Sequence, residues 1–449
     1  MIFDAARIAR ATHGSLVAEG AAGPVTTDSR RVAPGSWFVA LPGDRFDGHD
    51  FLPMVAAAGA AGAVVSREAP EGWSRGLVRV ADTLVALQDL ARSVRAEFRG
   101  PVVGITGSAG KTSTRVMVVE VLRALGRVHH TEGNLNNHIG LPLTLCALPP
   151  DADAVVLEMG MNHLREIALL QEIGAPNVRL VTNVGAAHVE GCGSIDGVAR
   201  AKQEIFDGAR EGDICCINLD DPRISGMPLP DDVHVVTYGS TAEATIRLTD
   251  VAVDGDRLQT RLRIETPDGA VRATLDVPGA HLAINAAAAT AVAWALRVPK
   301  DTIGPALSRF QPEGMRNRVE HLGGVAILDD AYHANPISMV AALRTLAGLR
   351  GRHFAVLGDM LELGVEEQAA HAEVLSAAID AGIDEIWVTG PRMTLAAERF
   401  DGVRVFPDAD ALAEALVPEL HEGDSLLVKG SRGARMERVV ERLRAARRN

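Results

Sequence analysis

The sequence predicts an α/β protein with three domains: a small α/β domain, a central domain with a parallel sheet and an antiparallel excursion, and a C-terminal α/β domain. The chain has 449 residues, which is too long for one ordinary hydrophobic core. Hydrophobic residues make up 47% of it and aromatic residues 4%, a balance typical of layers rich in Ala, Val and Leu. Short strand patterns alternate with helical patterns along two stretches of the chain. We therefore predict domains at residues 1–82, 83–312 and 313–449.

The first predicted domain mixes short apolar runs with turn-rich pieces. Residues 36–41 (Ser-Trp-Phe-Val-Ala-Leu) are typical of a short buried strand, and residues 41–44 (Leu-Pro-Gly-Asp) are typical of a turn. This mixture indicates a small α/β domain.

The central domain begins with a predicted helix over residues 83–98. An apolar run at 101–105 predicts a buried strand, and a helix is predicted over 112–125. Further buried strands are predicted at 154–158 and 178–184, separated by helical stretches. This alternation favours a parallel sheet covered on both faces, whose strands carry functional groups at their carboxyl ends.

The pattern then changes twice. Alternating residues between 244 and 277 predict an antiparallel excursion, and an Ala-rich helix is predicted over 281–296. In the C-terminal domain, strand patterns are separated by helical stretches, and they lie at residues 325–328, 354–357, 385–388 and 425–428. This second alternation indicates a Rossmann-like domain.

Charge and cysteine content exclude several classes of function. A formal net charge of -13 at pH 7 gives no global attraction to nucleic acid or anionic lipid, so an anionic ligand has to be bound by local groups. The four cysteines show neither metal-ligand spacing nor a disulfide framework, which favours a reducing compartment. No apolar run of about 18 residues occurs. We expect a cytoplasmic protein without membrane insertion or nucleic acid binding.

A glycine-rich turn follows the strand at 101–105 and has the sequence Gly-Ile-Thr-Gly-Ser-Ala-Gly-Lys-Thr over residues 104–112. Glycines let backbone N–H groups approach phosphate oxygens, a lysine adds a point charge, and a threonine hydroxyl can ligate magnesium. The longer common pattern needs Gly at position 105, where this chain has Ile. A glycine turn without a ligand is the alternative. The residues predicted to bind the ATP phosphates are Gly107, Ser108, Ala109, Gly110, Lys111, Thr112 and Ser113.

Lysine is rare in this chain, since only four of its 45 Lys and Arg residues are lysines. A GC-rich genome would explain the rarity but not the placement of Lys111 and Lys202 within motif-like segments. Lys202 lies on a predicted helix at 194–210, where a surface lysine is the ordinary interpretation. The competing hypothesis is that its amine reacts with CO₂ to form a carbamate, which is chemistry that arginine cannot perform.

Polar residues lie at or just beyond two predicted strands of the central domain. Glu158 ends one strand, and Asn183 and His188 follow the next. Together with Thr112 they could form an oxygen and imidazole shell for magnesium bound to ATP. Each residue alone is also explained as a capping, surface or structural residue.

Two groups in the C-terminal domain are candidates for ligand contact. The segment Leu-Asp-Asp-Ala-Tyr-His-Ala-Asn-Pro at 328–336 ends a strand with carboxylates, an aromatic ring and an amide. It also fits a helix start with Asn335 as N-cap and Pro336 at the first helical position. Arg316, at the domain junction, could reach a nucleotide held by the central domain, or it could belong to a solvated basic turn.

The motifs resemble, in order, those of the Mur ligase family, and the likeness spans essentially the whole chain. The family also uses the shortened phosphate loop. Besides that loop, the matching segments are Gly-Asn-Leu-Asn-Asn-His-Ile-Gly at 133–140, Glu-Met-Gly from Glu158, Asn183 to His188, Ala-Lys-Gln-Glu-Ile-Phe around Lys202, His281-x-x-x-Asn285, and Asp-Ala-Tyr-His-Ala-Asn-Pro at 330–336.

The resemblance implies two magnesium ions bound with ATP. It assigns Lys111, Thr112 and Glu158 to the phosphates and the first ion, and His188 and carbamylated Lys202 to the second. It further implies nucleotide contacts from Asn285, Arg316, Asp330 and Asn335. Two residues differ from the usual family pattern, His333 where Asn is common and Ser113 where Thr is common, and neither removes a group that the mechanism needs.

The resemblance also implies two sites for the substrates to be joined. Segments that match the family's UDP-binding segments contain Ser29, Arg30, Asp47 and His49, and Asn134 with Asn137 should face a UDP-linked substrate. The candidates for a dipeptide pocket are Asp359, Arg392, Lys429 and Arg432.

Within the family, three segments resemble those of the member that adds D-alanyl-D-alanine to UDP-N-acetylmuramoyl-tripeptide. They are residues 357–364, the loop at 133–140 that contains Asn136 and Asn137, and residues 429–432. The implied reaction is ATP-dependent amide ligation through an acyl phosphate, in peptidoglycan synthesis, and the family's precedent favours a monomer. A sister ligase that adds the third amino acid, and a folylpolyglutamate or cyanophycin-type ligase, are the nearest alternatives. A non-catalytic ATP-binding regulator and a P-loop motor or transporter ATPase are alternatives of another class.

Overall fold

The computed structural model describes residues 1–447 of the 449. The described chain separates into two compact units. The first unit comprises Met1–Gly104, Gly126–Gly160 and Ala168–Asn177, and the second comprises Ile105–Leu125, Met161–Ile167 and the described residues from Val178 onward. None of the helices within residues 1–447 combines the length and the apolar character that crossing a bilayer requires.

Helices and strands alternate through most of the chain. The helices are α1 (Ala5–Ala11), α2 (Leu52–Ala57), α3 (Thr83–Glu97), α4 (Lys111–Leu122), α5 (Gly140–Cys146), α6 (Glu166–Gly174), α7 (Val189–Cys192), α8 (Ile195–Asp207), α9 (Pro222–Ser225), α10 (His281–Ala295), α11 (Lys300–Leu307), α12 (Pro336–Ala347), α13 (Glu367–Asp380), α14 (Pro391–Ala397), α15 (Ala409–Leu416) and α16 (Glu437–Arg447). Short 3₁₀ helices lie at Ser29–Arg31, Gly48–Phe51, Arg123–Leu125, Gly364–Glu366 and Arg432–Ala434.

The strands are β1 (Ser15–Ala18), β2 (Val25–Thr26), β3 (Trp37–Val39), β4 (Gly62–Val65), β5 (Gly76–Arg79), β6 (Val102–Thr106), β7 (Val128–His130), β8 (Ala154–Glu158), β9 (Val178–Val181), β10 (Ile214–Asn218), β11 (His234–Gly239), β12 (Ile246–Asp254), β13 (Gln259–Thr266), β14 (Gly269–Leu275), β15 (Arg318–Leu322), β16 (Val325–Asp330), β17 (His353–Leu357), β18 (Glu385–Thr389), β19 (Val403–Phe406) and β20 (Ser425–Lys429).

The first unit contains a five-stranded sheet in the order β1-β5-β4-β3-β2. Strand β1 is antiparallel to β5, and the other pairs are parallel. The fully buried Trp37 ring lies where a Cβ on Gly62 or Gly76 would approach it within 2.5 or 2.6 Å. A side chain in place of Gly62 on β4 or Gly76 on β5 would therefore overlap this ring. The small α/β domain predicted from the sequence forms around it.

In the second unit, β9, β10 and β11 pair in parallel and β12 continues in parallel from the end of β11. Strands β12, β13 and β14 then pair antiparallel. The antiparallel excursion predicted between residues 244 and 277 is therefore confirmed. It returns to the Ala-rich helix α10, which is buried almost all round because small side chains let its neighbours approach closely.

The second unit also contains a six-stranded sheet in the order β15-β16-β20-β17-β18-β19. Only β15 is antiparallel in it. Along β17 the side chains alternate between two cores: Ala355 and Leu357 pack with α12 and α13, whereas Phe354 and Val356 pack with α15 and α16. Helices cover both faces, as a Rossmann-like domain requires.

Most predicted elements are confirmed within a few residues, including α3, β6, α4, β8 and α10. The strand predicted over 178–184 is shorter and ends at Val181. The reason is that Thr182 and Asn183 hydrogen-bond to the glycine loop. The edge strands β15 and β19 were not predicted, because edge positions are half exposed and lack a continuous apolar run.

The hairpin between β12 and β13 contacts the end of α12. Leu258, with φ of 54°, is 9% exposed and belongs to the core between the six-stranded sheet and α12. Asp256 forms an ion pair with Arg350, and a Cβ on Gly255 would lie 2.3 Å from the Gly348 carbonyl oxygen. One buried side chain at a hairpin turn thus joins the antiparallel excursion to the C-terminal core.

We predict that Leu258→Ala lowers the free energy of unfolding by about 2 to 4 kcal/mol, because it removes a buried side chain from a packed core. Urea denaturation measures the change. The control Leu395→Ala removes the same atoms from a side chain that is 46% exposed, and it should cost less than about 0.5 kcal/mol. Equal effects of the two substitutions would contradict the assignment of Leu258 to this core.

Candidate functional site

The glycine loop between β6 and α4 requires glycine at two positions. Gly107 has φ of 152°, and a Cβ there would lie 1.8 Å from Thr182 Oγ1. Gly110 has φ of 78°, and a Cβ there would lie 2.8 Å from Asn285 Oδ1. Both residues are in backbone conformations that side chains disfavour, and both are closely packed. The loop's shape therefore depends on these two glycines.

The residues just after β9 hold the loop from one side. The Ser108 N–H donates to the Asn183 carbonyl at 2.9 Å, and the Ala109 N–H donates to Asn183 Oδ1 at 2.8 Å. In return, Asn183 Nδ2 and Thr182 Oγ1 both donate to the Ala109 carbonyl, at 3.0 and 2.6 Å. Asn183, which we considered as a magnesium ligand, is thus engaged with the loop backbone, and Thr182 was missed by the sequence analysis.

The start of α12 holds the loop from another side. Asn335 caps this helix in a capping box with Ser338, which confirms the cap predicted from the Asn-Pro pair. The amide of the same Asn335 donates to the Ser108 carbonyl at 3.1 Å. The predicted helix cap and a contact with the glycine loop are combined in this one buried side chain.

The first turn of α4 provides backbone donors next to Lys111 and Thr112. Its N-cap is Gly110, which has no side chain to satisfy the first N–H groups. Lys111 Nζ donates to the Gly107 carbonyl at 2.6 Å, so the ammonium lies over the loop. Thr112 is buried and Ser113 follows it in the helix. A helix N-terminus with an ammonium beside it is suited to bind phosphate.

Lys202 is completely buried on α8, on the same face as Val198, Ala201 and Ile205. Its Nζ has no hydrogen-bond partner among the residues described. Burial lowers the pKa of the Lys202 amine well below its usual value, and the neighbouring charge of Lys111 lowers it further. Burial thus favours the neutral form of the amine, and Lys202 is not the surface lysine that the ordinary interpretation assumed.

His188 precedes α7 in the left-handed conformation, with φ of 59°. Its Nδ1 lies 2.6 Å from Glu362 Oε2, and its ring is stacked on that of His333 with 6.3 Å between centroids. Burial lowers the pKa of His188, and so do the charges of Lys111 and Lys202. The side chains of His188, Lys111 and Lys202 thus lie close enough for their charges to interact.

Glu158 belongs to the first unit, where it ends β8 and is 2% exposed. Its Oε1 accepts a hydrogen bond from Asn136 Nδ2 at 3.0 Å. Asn137 accepts N–H groups of Ile139 and Gly140 at the start of α5, and Asn134 is exposed. Asn136, which belongs to the Asn-Asn motif but was not chosen as a site residue, is thus the member of the loop that contacts Glu158.

Two predicted segments of the five-stranded domain are built on aspartate caps. Asp28 caps the 3₁₀ turn that contains Ser29 and Arg30, and the Arg30 side chain is 84% exposed. Asp47 caps the next 3₁₀ turn and accepts from His49 Nδ1 at 2.6 Å, while His49 Nε2 accepts the Ser66 N–H at 3.0 Å. His49 is buried and hydrogen-bonded at both nitrogens.

A group of residues around Asp330 lies near the end of β16. Asp330 accepts the Asn317 N–H at 3.1 Å and forms an ion pair with the buried Lys429. Lys429 Nζ also donates to the His333 carbonyl at 2.8 Å. The Arg316 guanidinium lies 4.0 Å above the Tyr332 ring. Lys429 is thus engaged with the residues predicted to contact nucleotide rather than exposed in a separate pocket.

The other dipeptide-pocket candidates differ in the partners of their side chains. Asp359 accepts the N–H groups of Arg392 and Met393, at 3.1 and 2.9 Å, and so caps α14. Arg392 pairs with Glu367 and borders a cavity of about 320 Å³ beside α13 and α14. Arg432 is 60% exposed and lies 3.1 Å from Glu437. Asp359 and Arg392 are therefore neighbours, whereas Arg432 and Lys429 have different partners.

Comparisons with known proteins identify the family. Three family models match the chain: "Mur ligase family, catalytic domain" over residues 24–95, "Mur ligase middle domain" over 105–293, and "Mur ligase, glutamate ligase domain" over 315–432. The three matches follow one another along the chain.

Curated relatives match along nearly their whole length. The UDP-N-acetylmuramoyl-tripeptide--D-alanyl-D-alanine ligase of Escherichia coli is 39% identical over 423 residues, which cover 93% of each chain. The enzyme of the same name from Bacillus subtilis is 35% identical and covers 93% of this chain and 92% of its own.

Solved structures match in the same way. A crystal structure of MurF from Acinetobacter baumannii has a TM-score of 0.92, 29% identity and coverage of 99% of both chains. The MurF ligase of Thermotoga maritima in complex with ADP has a TM-score of 0.85 and 29% identity, and it covers 95% of this chain and 98% of its own. With family models over more than half of its length and relatives of this identity and coverage, the chain belongs to the Mur ligase family.

Proposed function

We propose that the protein is an ATP-dependent ligase that joins D-alanyl-D-alanine to UDP-N-acetylmuramoyl-tripeptide and so forms the pentapeptide precursor of peptidoglycan. The observation that carries this proposal is the full-length similarity to ligases of that name, at 39% identity over 93% of both chains for the Escherichia coli enzyme. The glycine loop, the buried Lys202 and His188, whose pKa is lowered by burial, provide chemistry that agrees with this activity.

ATP would bind at the glycine loop. The backbone N–H groups at the start of α4 and the Lys111 ammonium meet the phosphates, and the Thr182 and Asn183 contacts keep the loop in place for them. Other residues of the loop and the second unit would complete the nucleotide site, and they are Ser108, Ala109, Ser113, Asn285, Arg316, Asp330 and Asn335. The amide of Asn285 lies against Gly110, which supports its assignment.

The residues that would hold magnesium are Thr112, Glu158, His188 and Lys202. The hydroxyl and carboxylate oxygens are ligands that magnesium prefers. When bound, the ions supply positive charge that stabilises the transferring phosphoryl group. Asn136 would hold the Glu158 carboxylate in place, since it donates to Oε1.

Lys202 would act as a carbamate. Its amine is fully buried and has no hydrogen-bond partner within residues 1–447, and burial favours the neutral form, which is the nucleophile for CO₂. The nitrogen attacks the carbon of CO₂ and loses a proton, and the product is a carboxylate with two oxygens. The modification converts a buried nitrogen that has no partner into an oxygen ligand for magnesium.

The UDP-linked tripeptide and the dipeptide would bind in different domains. Ser29, Arg30, Asp47, His49, Asn134 and Asn137 would line the site for the UDP-linked tripeptide, with His49 acting through the Asp47 carboxylate that it holds. Asp359, Arg392, Lys429 and Arg432 remain the candidates for the dipeptide. We further propose boundaries at 82/83 and 312/313, a cytoplasmic location and a monomeric state.

The chemistry then has two steps. A carboxylate oxygen of the tripeptide attacks the γ-phosphorus of ATP, which releases ADP and forms an acyl phosphate. The amine of D-alanyl-D-alanine attacks the acyl carbon, loses a proton and expels phosphate, which leaves an amide. Lys111 stabilises negative charge during the first step, and exclusion of water protects the acyl phosphate until the second.

We predict that phosphate release from ATP and magnesium requires both UDP-N-acetylmuramoyl-tripeptide and D-alanyl-D-alanine. A coupled phosphate assay with mass spectrometry of the product tests this. Omission of either substrate should reduce release to background, because the acyl phosphate forms only on the tripeptide and is consumed by the amine. Turnover only with a dipeptide substrate and a single amino acid would instead identify the sister ligase that adds the third residue.

We predict that Lys202→Ala reduces turnover by about a hundredfold or more, because it removes a proposed ligand of the magnesium ion that stabilises charge on the transferring phosphoryl group. Incubation of the wild type with ¹³C-bicarbonate should give a carbamate signal in the ¹³C NMR spectrum. Lys300→Ala removes a lysine whose side chain is 35% exposed, and it should change neither turnover nor the signal. A carbamate signal that persists in Lys202→Ala would exclude this residue as its source.

We predict that Thr182→Val weakens ATP binding by about five- to tenfold, since it removes a hydrogen bond that holds the Ala109 carbonyl and such bonds contribute about 1 kcal/mol. Isothermal titration with ADP measures the affinity. Thr260→Val removes a comparable buried bond, to the Val277 carbonyl in the antiparallel excursion. This control should lower stability without changing ADP affinity, and an equal loss of affinity in both variants would contradict a specific role for Thr182.

A further inference from the structure

The segment at 357–364, singled out in the sequence but given no role so far, forms the turn between β17 and the 3₁₀ helix at Gly364–Glu366. Most of its polar groups are explained by the fold, since Asp359 caps α14. Glu362 is different. Its side chain is 53% exposed, and its carboxylate lies against the ring of His188 in the central domain.

Glu362 contacts the α7 region twice. Its carboxylate Oε2 lies 2.6 Å from His188 Nδ1. Its backbone carbonyl accepts the Glu190 N–H at 3.2 Å. One residue thus contacts the chain on both sides of Val189, with its side chain and with its backbone, and this fixes the His188 ring relative to the turn.

The backbone is in the left-handed conformation at both residues of this contact, Glu362 and His188. Glu362 has φ of 64° and His188 has φ of 59°, and such left-handed conformations cost roughly 1 kcal/mol or more for residues other than glycine. Gly364 has φ of 54°, and a Cβ there would lie 3.1 Å from the Glu190 Cα. Two non-glycine residues in this conformation, facing each other, indicate that the contact is specific.

We infer that Glu362 is the positioning residue for His188: its carboxylate holds the imidazole in the tautomer with hydrogen on Nδ1, and this leaves the Nε2 lone pair for a metal ion. An ionised carboxylate can only accept, so the ring nitrogen in contact with it is the donor. A carboxylate behind a metal-binding histidine orients the ring and raises its basicity. This inference rests on the proposed function in one respect, the assignment of His188 as a magnesium ligand.

The inference also gives the 357–364 segment a function. The carboxylate comes from the C-terminal Rossmann-like domain, whereas His188 follows β9 of the central sheet. The ligand geometry is therefore complete only when the turn at Glu362 lies against α7. The position of the Rossmann-like domain thus determines whether the His188 ring is oriented to bind the metal ion.

The test uses full-length protein with ¹⁵N-labelled histidine, in which the His188 signals among the 14 histidines are assigned by comparison with His188→Gln. Long-range ¹H-¹⁵N spectra of the metal-free protein report which ring nitrogen carries hydrogen. We expect the Nδ1–H tautomer in the wild type and in Glu362→Gln, whose amide oxygen still accepts. In Glu362→Ala we expect a mixture with the Nε2–H tautomer.

Metal affinity is the second readout, with Mn²⁺ alone as the probe. Glu362→Ala should weaken Mn²⁺ binding about tenfold or more, the usual effect of removing such a carboxylate. The matched control is Glu366→Ala, on the 3₁₀ helix that follows the segment, because Glu366 has no side-chain hydrogen bond or ion pair within the described chain. The control should change neither the tautomer nor the affinity.

Two results would overturn the inference: an unchanged Nδ1–H tautomer in Glu362→Ala, or the same spectral change in Glu366→Ala. Thermal denaturation of each variant separates loss of folding from loss of positioning. The proposed function fails by a different result, namely no ligation of D-alanyl-D-alanine by the wild type. A tautomer change in a protein that does not catalyse this ligation would still support the role of Glu362.

Discussion

The arrangement of residues around the glycine loop depends on the hydrogen bonds that the loop's carbonyl groups accept. The Ser108 and Ala109 carbonyl groups of this loop belong to no sheet or helix, so they need partners elsewhere. Asn183 and Thr182 hold the Ala109 carbonyl, and Asn335 holds that of Ser108. The end of a strand and the start of a helix from another domain thereby hold the loop open for phosphate.

The same region concentrates buried cationic groups. Burial disfavours the charged form of Lys202, whereas Lys429 has an anionic partner in Asp330. His188 and His333 are also shifted toward the neutral form, first by burial and then by the surrounding positive charges. A set of basic groups with few anions among them is costly in isolation but suited to a ligand that brings several negative charges.

The Rossmann-like domain contributes more than a second binding surface. Three of its contacts with the rest of the second unit are the Leu258 hairpin on the end of α12, the Asn335 amide on the glycine loop, and Glu362 against His188. The first is a hydrophobic contact away from the loop, and the other two end on residues proposed to bind nucleotide or metal. Displacement of this domain would therefore change the site even if the central sheet stayed unchanged.

The sequence by itself determined the α/β class, the strand, glycine turn and helix around Lys111, and the helix start at Asn335, because periodicity and local turn chemistry depend on neighbours along the chain. It left open whether Lys202 was buried, because a lysine on a helix is ordinary until the surrounding packing is known. It missed Thr182, Asn136 and the role of Glu362, since their partners lie between 22 and 174 residues away in the chain. Only the tertiary structure decides such contacts, because hydrogen bonds and desolvation depend on distance in space and not on separation in sequence.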